Sequence, residues 1–371
     1  MITNHLAFAQ LPPVARRRGA FAFGLALCTL GLSFSASAQS IFTTFDVPGS
    51  VQTIPISINS KGAVIGLYTD QNFVGHGFLR SPGGIFTTID PPGSVFTVAQ
   101  SINSAGGDYG TLPRELCDLR IPSSFRMALS PQSTLRAPPF RPSLTVSTRR
   151  GTIAGSYVDP TFPAKNLFHG FLRNPDGTFT TFDAPGGVFE TSVTSINDLG
   201  VSAGYYEDPK FVNHGFLRAS DGTLTTFDPP VGSLAAGPQS INSAGAITGA
   251  YIDATFTFHA YLRGPDGTFN TFDAPGAGKG VLQGTTPQSI NSAGAITGAS
   301  INAANGFHGF LRTPDGTITE FNAPGAAKGT SALSINSVGT ITGFYIDANG
   351  VIHGFLRSVP FALQANSPLY R

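Results

Sequence analysis

The chain repeats one order of apolar and polar residues along most of its length. Its clearest copy reads SINSAGAITGAYID at 240–253, FHAYLR at 258–263 and GTFNTFDAPG at 267–276. In these pieces apolar side chains alternate with small or polar ones at a period of two, which is typical of half-buried β-strands. Each copy therefore predicts four short strands.

Turn residues separate the predicted strands. Asn242 is followed three residues later by Gly245, which predicts an Asx-type turn with a glycine at positive φ. The tetrapeptide PDGT predicts a hairpin, and DAPG or DPPG predicts the end of a strand, because Pro has no N–H to donate to a neighbouring strand.

The Asn of the SIN triplet marks the period of the repeat. It occurs at Asn59, Asn103, Asn197, Asn242, Asn291 and Asn336, with steps of 44, 94, 45, 49 and 45 residues. Four strands in about 45 residues are typical of a β-propeller blade. The step of 94 residues spans two periods, so one marker is missing and seven units are expected. We predict an all-β chain that folds as a seven-bladed propeller over residues 39–358 and ends in a tail at 359–371.

The two ends of the repeat region complement each other. A strand of the TFD type at 43–46 precedes the first SIN, and the last unit ends at HGFLR (353–357) without such a strand. We predict that the N-terminal strand completes the final blade, which leaves no open sheet edge. The Phe-rich strands should fill the gaps between blades.

Residues 107–150 interrupt the repeat with seven Arg and six Pro. Because two normal periods fit into this step, we interpret the segment as a degenerate third blade and not as an inserted loop. Its loss of apolar alternation predicts poor order.

A change of reading frame would explain the break. Read one nucleotide away, suitable codons for residues 120–137 give HPFLLPDGTFTTINSPG, close to HGFLRTPDGTITEFNAPG at 308–325. The same shift turns VSTR at 146–149 into SINS and places the missing Asn over Thr148. We hypothesise two compensating frame changes, as mutations or as sequencing errors. Sequencing of the coding DNA across residues 100–155 tests this hypothesis, and DNA without a repeat-like alternative frame would contradict it.

The N-terminus carries an export signal. Arg16, Arg17 and Arg18 precede an apolar run at 19–32, and Ala-Ser-Ala at 36–38 is typical of a cleavage site. We therefore expect a signal peptide at 1–38 and an exported chain, extracellular or periplasmic, with no membrane span after its removal. The remaining chain is nearly neutral, which disfavours nucleic acid as a partner. Its one cysteine, Cys117, excludes an intramolecular disulfide.

The motif SIN-S-x-G-x-ITG-x-Y, followed by HGFLR and GTFTTFDAPG, resembles the bacterial extracellular HAF-repeat family. The segment most similar to the His-Ala-Phe core of that family is HAYLR at 259–263. The resemblance covers residues 41–106 and 151–357. It implies secretion and a repeat architecture, in a family of undetermined function, and it carries over no catalytic residue.

Several polar residues recur once in every unit. The histidines are His76, His169, His214, His259, His308 and His353. A ring of imidazoles suggests a metal site, but a residue repeated in every unit is better explained by a role within the unit. The same structural interpretation is favoured for the SIN asparagines. Acids also follow the second strand and the fourth strand. For the acids after the second strand, turn formation is favoured over calcium loops, and for those after the fourth strand, turn capping is favoured over a role in catalysis. The acids after the second strand are Asp70, Asp159, Asp208, Asp253 and Asp347, with Asn302 at the sixth place, and those after the fourth strand are Asp46, Asp90, Asp183, Asp228 and Asp273.

The sequence shows no Ser-His-Asp order, metal-protease helix or phosphate loop, so it predicts no catalytic residue and no cofactor. We expect a monomeric binding or scaffold module, for a glycan, a peptide or a cell-envelope ligand. The alternatives are a secreted hydrolase or lactonase on the same scaffold, and a decayed copy that does not fold. The variable loops at 69–75, 159–167 and 275–287 are the predicted ligand contacts.

Overall fold

The repeated phrase forms the same four-stranded meander in successive parts of the chain. The structure is a computed structural model that describes residues 40–90, 102, 143–147, 152–158, 168–174, 176, 178–229, 233 and 235–358. All of them belong to one compact unit of the chain, Ala38–Arg371. Within these ranges the regular structure is entirely β, as the alternation predicts, and no helix capable of crossing a membrane occurs among them.

The strand bounds follow the sequence pattern closely. The strands are β1 (Ile41–Phe45), β2 (Gln52–Ile58), β3 (Val64–Thr69), β4 (Gly75–Arg80), β5 (Phe86–Ile89), β6 (Ser143–Ser147), β7 (Ile153–Val158), β8 (Phe168–Arg173), β9 (Phe179–Phe182), β10 (Glu190–Ile196), β11 (Ser202–Glu207), β12 (Asn213–Arg218), β13 (Leu224–Phe227), β14 (Ala235–Ile241), β15 (Ile247–Ile252), β16 (Phe258–Arg263), β17 (Phe269–Phe272), β18 (Gly284–Ile290), β19 (Ile296–Ile301), β20 (Phe307–Arg312), β21 (Ile318–Phe321), β22 (Gly329–Ile335), β23 (Ile341–Ile346) and β24 (Ile352–Ser358).

The strands group into six described units. We call them unit A (β2–β5), unit B (β6–β9), unit C (β10–β13), unit D (β14–β17), unit E (β18–β21) and unit F (β22–β24 with β1). Within a unit, neighbouring strands pair antiparallel in chain order, and in unit F the fourth place is taken by β1, which pairs with β24. The prediction that the N-terminal strand completes the last unit is therefore confirmed at the level of strand pairing.

The first strand of each unit carries a register shift opposite the glycine of the second. In unit F the shift lies between Ala332 and Ser334, opposite Gly343. A Cβ atom on Gly343 would lie 2.1 Å from the carbonyl oxygen of Ser331. Only glycine fits this close approach of two backbones, which explains the Gly of the repeated ITG.

Aromatic side chains fill the space between units. Phe355 on the third strand of unit F is fully buried and lies 6.1 Å, centroid to centroid, from Phe321 on the fourth strand of unit E. The same contact joins Phe216 to Phe182 and Phe310 to Phe272. The predicted role of the Phe-rich strands is confirmed at these contacts.

The last Arg of HGFLR is buried beside the same rings. The guanidinium carbon of Arg357 lies 4.5 Å from the ring centroid of Phe321, and Arg263 lies 4.7 Å from that of Phe227. Desolvation lowers the pKa of Arg357 to about 10. These arginines stack on the preceding unit by cation–π contact, a role that the sequence pattern did not reveal.

Strand β6 lies within the segment that interrupts the repeat. Its register with β7 shifts between Leu144 and Val146, as in the other first strands. Ser147 thereby corresponds to Ile196, so that Thr148 corresponds to Asn197. This is the place predicted for the missing marker. Residues 107–142 and 148–150 lie outside the described residues, as do the predicted signal peptide, the whole predicted tail and the site residue Asn103.

Candidate functional site

Each unit has two distinct ends. First and third strands finish at one end, beside the SIN asparagine and the Arg of HGFLR, and second and fourth strands finish at the other. We call the first the Asn end, defined by Asn59, Asn197, Asn242, Asn291 and Asn336. We call the second the His end, defined by His76, His169, His214, His259, His308 and His353, with the acids that surround them.

The asparagines of the Asn end are bonded from unit to unit. Each side-chain N–H donates to the backbone carbonyl of the next Asn along the chain, from Asn197 to Asn242 at 3.0 Å, and onward through Asn291 to Asn336. Asn336 in the last unit then donates to the carbonyl of Asn59 in the first, at 3.0 Å. The last described unit is thereby bonded to the first.

The same asparagines also form the predicted turns. The side-chain oxygen of Asn242 accepts hydrogen bonds from the N–H groups of Ala244 and Ala246, and Gly245 has a φ of 84°. The side-chain oxygen and nitrogen of Asn242 are therefore both hydrogen-bonded, and the side chain is almost fully buried. This predicted Asx turn is confirmed, and the link between units is a contact that the sequence pattern did not reveal.

At the His end, the imidazole lies between two carboxylates in four of the described units. His214 Nδ1 lies 2.5 Å from Asp228, at the end of the fourth strand, and His214 Nε2 lies 3.4 Å from Asp208, at the end of the second. Equivalent pairs flank three other histidines. They are Asp70 and Asp90 around His76, Asp253 and Asp273 around His259, and Asp347 and Asp46 around His353.

A tyrosine covers one face of each of these imidazoles. Tyr206 stacks on His214 with 5.1 Å between ring centroids, and Tyr251 does the same to His259. In unit B, His169 Nδ1 lies 2.8 Å from Asp183, while Asp159 lies outside the described residues. The histidines and acids occupy separate positions in the repeated sequence, and the fold brings them together.

The acids after the second strand also fix the loop that follows them. Asp208 Oδ1 accepts hydrogen bonds from the N–H groups of Lys210 and Val212. These bonds, that of Val212 first, lower the pKa of Asp208 below 3.8 despite some desolvation, and His214 adds to the shift. The prediction that these acids form turns is confirmed for the described loops.

The carboxylates raise the pKa of three of the histidines. For His76 the hydrogen bond to Asp90 is the main cause of the rise above 6.5. For His214 and His259 burial has the largest single effect and lowers the pKa. The hydrogen bonds and charges of their two carboxylates together outweigh it, so that the net shift is upward.

Unit E departs from this arrangement at four positions. Asn302 and Asn322 replace the two acids around His308, Ser300 replaces the Tyr, and Glu320 replaces a Thr. The Asn302 oxygen accepts from two backbone N–H groups, so its Nδ2 faces His308 Nε2 at 2.9 Å. His308 Nε2 therefore accepts a hydrogen bond, and Nδ1 donates to Asn322 at 3.1 Å. Ser300 donates to Glu320 at 2.5 Å.

The shifted pKa values of the histidines and aspartates predict that the stability of the fold depends on pH. A raised histidine pKa stabilises the fold fully below pH 6.5 and less as the pH rises through the folded pKa. A lowered aspartate pKa stabilises it above pH 3.8 and less as the pH falls through the folded pKa. We expect the free energy of unfolding, measured with urea from pH 3 to 9, to be greatest between about pH 4 and 6.5.

A double variant isolates the histidine contribution. The double replacement His214→Gln and His259→Gln should flatten the decline above pH 6.5, because it removes two imidazoles whose pKa values the neighbouring carboxylates raise. A wild-type stability that keeps rising above pH 7 would contradict this assignment.

The exposed surface of the His end carries aromatic side chains in a strained backbone conformation. Phe73, Phe211 and Phe256 occupy equivalent positions three residues after the loop Asp, with φ values of 62°, 63° and 60°. They are 82%, 70% and 53% exposed. Units E and F place Asn305 and Gly350 at this position, residues that adopt positive φ readily.

The connection from unit D to unit E joins these loops. The N–H of Leu282 donates to the carbonyl of Phe256 at 2.8 Å, and Gln283 donates to the Asn305 side chain at 3.0 Å. Val281 beside them is 66% exposed. The predicted ligand loops at 69–75 and 275–287 therefore both lie at the His end, and 159–167 lies outside the described residues.

Among the described residues, no three His, Cys, Asp or Glu side chains form a group that could hold a metal ion. The Asp–His–Asp sets instead satisfy one another by hydrogen bonding and charge.

Comparisons with known proteins give similarity at the level of solved structures. No protein-family model matches the chain, and no curated protein matches it. A catalytically inactive virginiamycin B lyase from Staphylococcus aureus with quinupristin is 12% identical, with a TM-score of 0.44 over 86% of this chain and 100% of that one. A lectin of Aleuria aurantia, a six-bladed β-propeller that recognises fucose, is 9% identical, with a TM-score of 0.43 over 83% and 95%.

TolB from Acinetobacter baumannii is 11% identical, with a TM-score of 0.41 over 80% of this chain and 64% of that one. All three TM-scores lie below 0.5.

Proposed function

We propose that this chain is an exported, seven-bladed β-propeller of the HAF-repeat type that acts as a binding module through its His end. The observation that carries the proposal is the set of exposed Phe side chains held at positive φ in equivalent loops at that end.

Three contacts support a ring of seven units. The asparagine series leads from unit F back to unit A, and β1 completes the sheet of unit F. In addition, the N–H of Ile102 donates to Ser57 Oγ at 3.4 Å, the counterpart of the Ile241 to Ser195 bond between units C and D. Ile102 therefore lies against Ser57 as Ile241 lies against Ser195, which supports a further unit after unit A.

The exposed aromatic loops support a role in binding. A bulky residue at positive φ is strained by about 1–2 kcal/mol. Phe73, at 82% exposure, gains little packing in return, whereas the Phe211 ring stacks on Phe189 with 4.7 Å between ring centroids. Asn305 and Gly350 show that the same loop forms with residues that relieve this strain. Strain retained at exposed positions is typical of functional surfaces, which favours ligand contact by these rings.

The enzyme alternative has less support from the described residues. In units A, C, D and F both imidazole nitrogens face carboxylates of their own unit, and in unit E both face amides. These five histidines are therefore held by local partners and are poorly placed to exchange a proton with a substrate.

A stability measurement distinguishes a binding role of the rings from a structural one. We expect Phe73→Gly, which reproduces the residue found at 350, to raise the free energy of unfolding by about 1 kcal/mol, because it removes the positive-φ strain of an exposed side chain. Urea unfolding measures this. A loss of stability would show that the Phe73 ring supports the fold.

A binding panel tests the proposed function. The full chain is applied to immobilised neutral oligosaccharides, basic peptides, acidic peptides and bacterial cell-envelope fractions. We expect at least one class to bind, with loss of binding in the variant Phe73→Asn, Phe211→Asn, Phe256→Asn. A matched control replaces exposed apolar residues of the Asn end, Ile85→Ser, Leu199→Ser and Val338→Ser, and should bind as the wild type does. Binding lost only in the control would overturn the proposal.

A further inference from the structure

The charges of the described residues are divided between the two ends. The bounds of the strands place most acids at the His end, with only three lysines, Lys210, Lys279 and Lys328. The acids of the His end are Asp46, Asp70, Asp90, Asp183, Glu190, Glu207, Asp208, Asp228, Asp253, Asp273, Glu320 and Asp347. The described arginines all lie at the Asn end, where the third strands finish. A chain that is nearly neutral overall therefore has one strongly acidic end.

Many of these carboxylates remain open to solvent. The Asp228 side chain is 64% exposed, Asp46 is 47% exposed and Asp273 is 45% exposed, although each contacts a histidine with one oxygen. Each Asp–His–Asp set retains a net negative charge even when its imidazole is protonated. The acidic field thus persists beside the exposed Phe rings.

Carboxylates beside aromatic rings match a cationic ligand with an aliphatic stem. The ammonium or guanidinium group is attracted both by the carboxylate and by the face of the ring. A Lys or Arg side chain also lays its methylene groups on apolar surface such as Phe73 and Val281. The acids and rings lie at one end of the units and recur from unit to unit. A ligand chain with several Lys or Arg side chains could therefore contact several units at once, which raises its affinity through multivalency.

We propose that the ligand of the His end is a Lys- and Arg-rich segment of another protein, held by the exposed Phe rings and the acids around them. This inference rests on the proposed function, because it names the ligand class of the same surface. A neutral glycan is the competing occupant, and its binding would not need the acidic field.

Fluorescence anisotropy of the full chain with labelled dodecalysine tests the inference, with dodecaglutamate, chitohexaose and mannohexaose as comparison ligands. We expect saturable binding of dodecalysine that weakens by about tenfold between 50 and 300 mM NaCl, and no binding of dodecaglutamate. Phe73→Asn with Phe211→Asn and Phe256→Asn should weaken it by about tenfold or more, since each ring contributes a cation–π contact. The Asn-end control Ile85→Ser, Leu199→Ser, Val338→Ser should bind as the wild type does.

The other outcomes separate the two proposals. Binding of a neutral hexasaccharide but not of dodecalysine, with loss in the Phe variant, would overturn the cationic ligand and leave the binding module standing. If the Phe variant binds dodecalysine as tightly as the wild type does, the interaction depends on charge alone. This result would overturn the role of the rings. Binding of none of these ligands by a folded chain would overturn both.

Discussion

Replacing Phe355 by Ala should lower the free energy of unfolding by about 3–5 kcal/mol. The ring is fully buried and lies 6.0 Å from Phe42 of β1 and 6.1 Å from Phe321 of unit E, centroid to centroid. Its removal leaves a cavity where the N-terminal strand, the last unit and the preceding unit meet. Urea unfolding followed by circular dichroism measures the change.

The control for this prediction is Phe179→Ala. Phe179 occupies a fourth strand and is 58% exposed, so its removal should cost about 1 kcal/mol or less. A Phe355→Ala chain as stable as the Phe179→Ala chain would show that the contact between the ends of the repeat region contributes little.

Replacing Asn336 by Ala should lower the free energy of unfolding by about 2–4 kcal/mol. The side chain donates to the carbonyl of Asn59 and accepts from the N–H groups of Val338 and Thr340. All three bonds are lost at a site that is 5% exposed, and buried polar groups left without a partner are costly. Thermal and urea unfolding of the full chain give the difference.

Asn349→Ala is the matched control for this second effect. Asn349 is exposed and its side chain donates to Asp347, two residues earlier in the same loop. Its replacement should change the stability by less than about 0.5 kcal/mol. Equal stabilities of the Asn336 and Asn349 variants would contradict the role of the asparagine series in joining unit F to unit A.

Much of the fold follows from local patterns in the sequence. The alternation of TFTTF predicts the fourth strands, and the Asn with a following Gly predicts the turn at Asn242, because both depend on residues close together in the chain. The place of β1 was also predictable, since the last unit has no TFD strand of its own. The register of β6 agrees with a hidden unit in the step of 94 residues.

The candidate site was predictable only in its components. His214, Asp208 and Asp228 recur at fixed places, but their convergence depends on the pairing of three strands, which the spacing alone does not give. The αL conformation of Phe211 was equally hidden, because Phe gives no signal for positive φ. The available signal was that other units have Asn305 or Gly350 at the position of Phe211, because both residue types adopt positive φ readily.

The arginines of HGFLR were missed for a related reason. A charged residue at the end of a strand is typical of a solvated position, whereas Arg357 is buried against Phe321 of the neighbouring unit. The contact between Arg357 and Phe321 joins residues 36 positions apart in the chain, and only the three-dimensional arrangement shows it.

The claim that ligands bind at the His end can be tested by hydrogen–deuterium exchange of the full chain with and without saturating dodecalysine. We expect slower exchange in the loops at 70–74, 208–212 and 253–257, and unchanged exchange in the asparagine turns at 59–63, 197–201 and 242–246. Slower exchange confined to the asparagine turns would contradict the claim and place the binding surface at the opposite end.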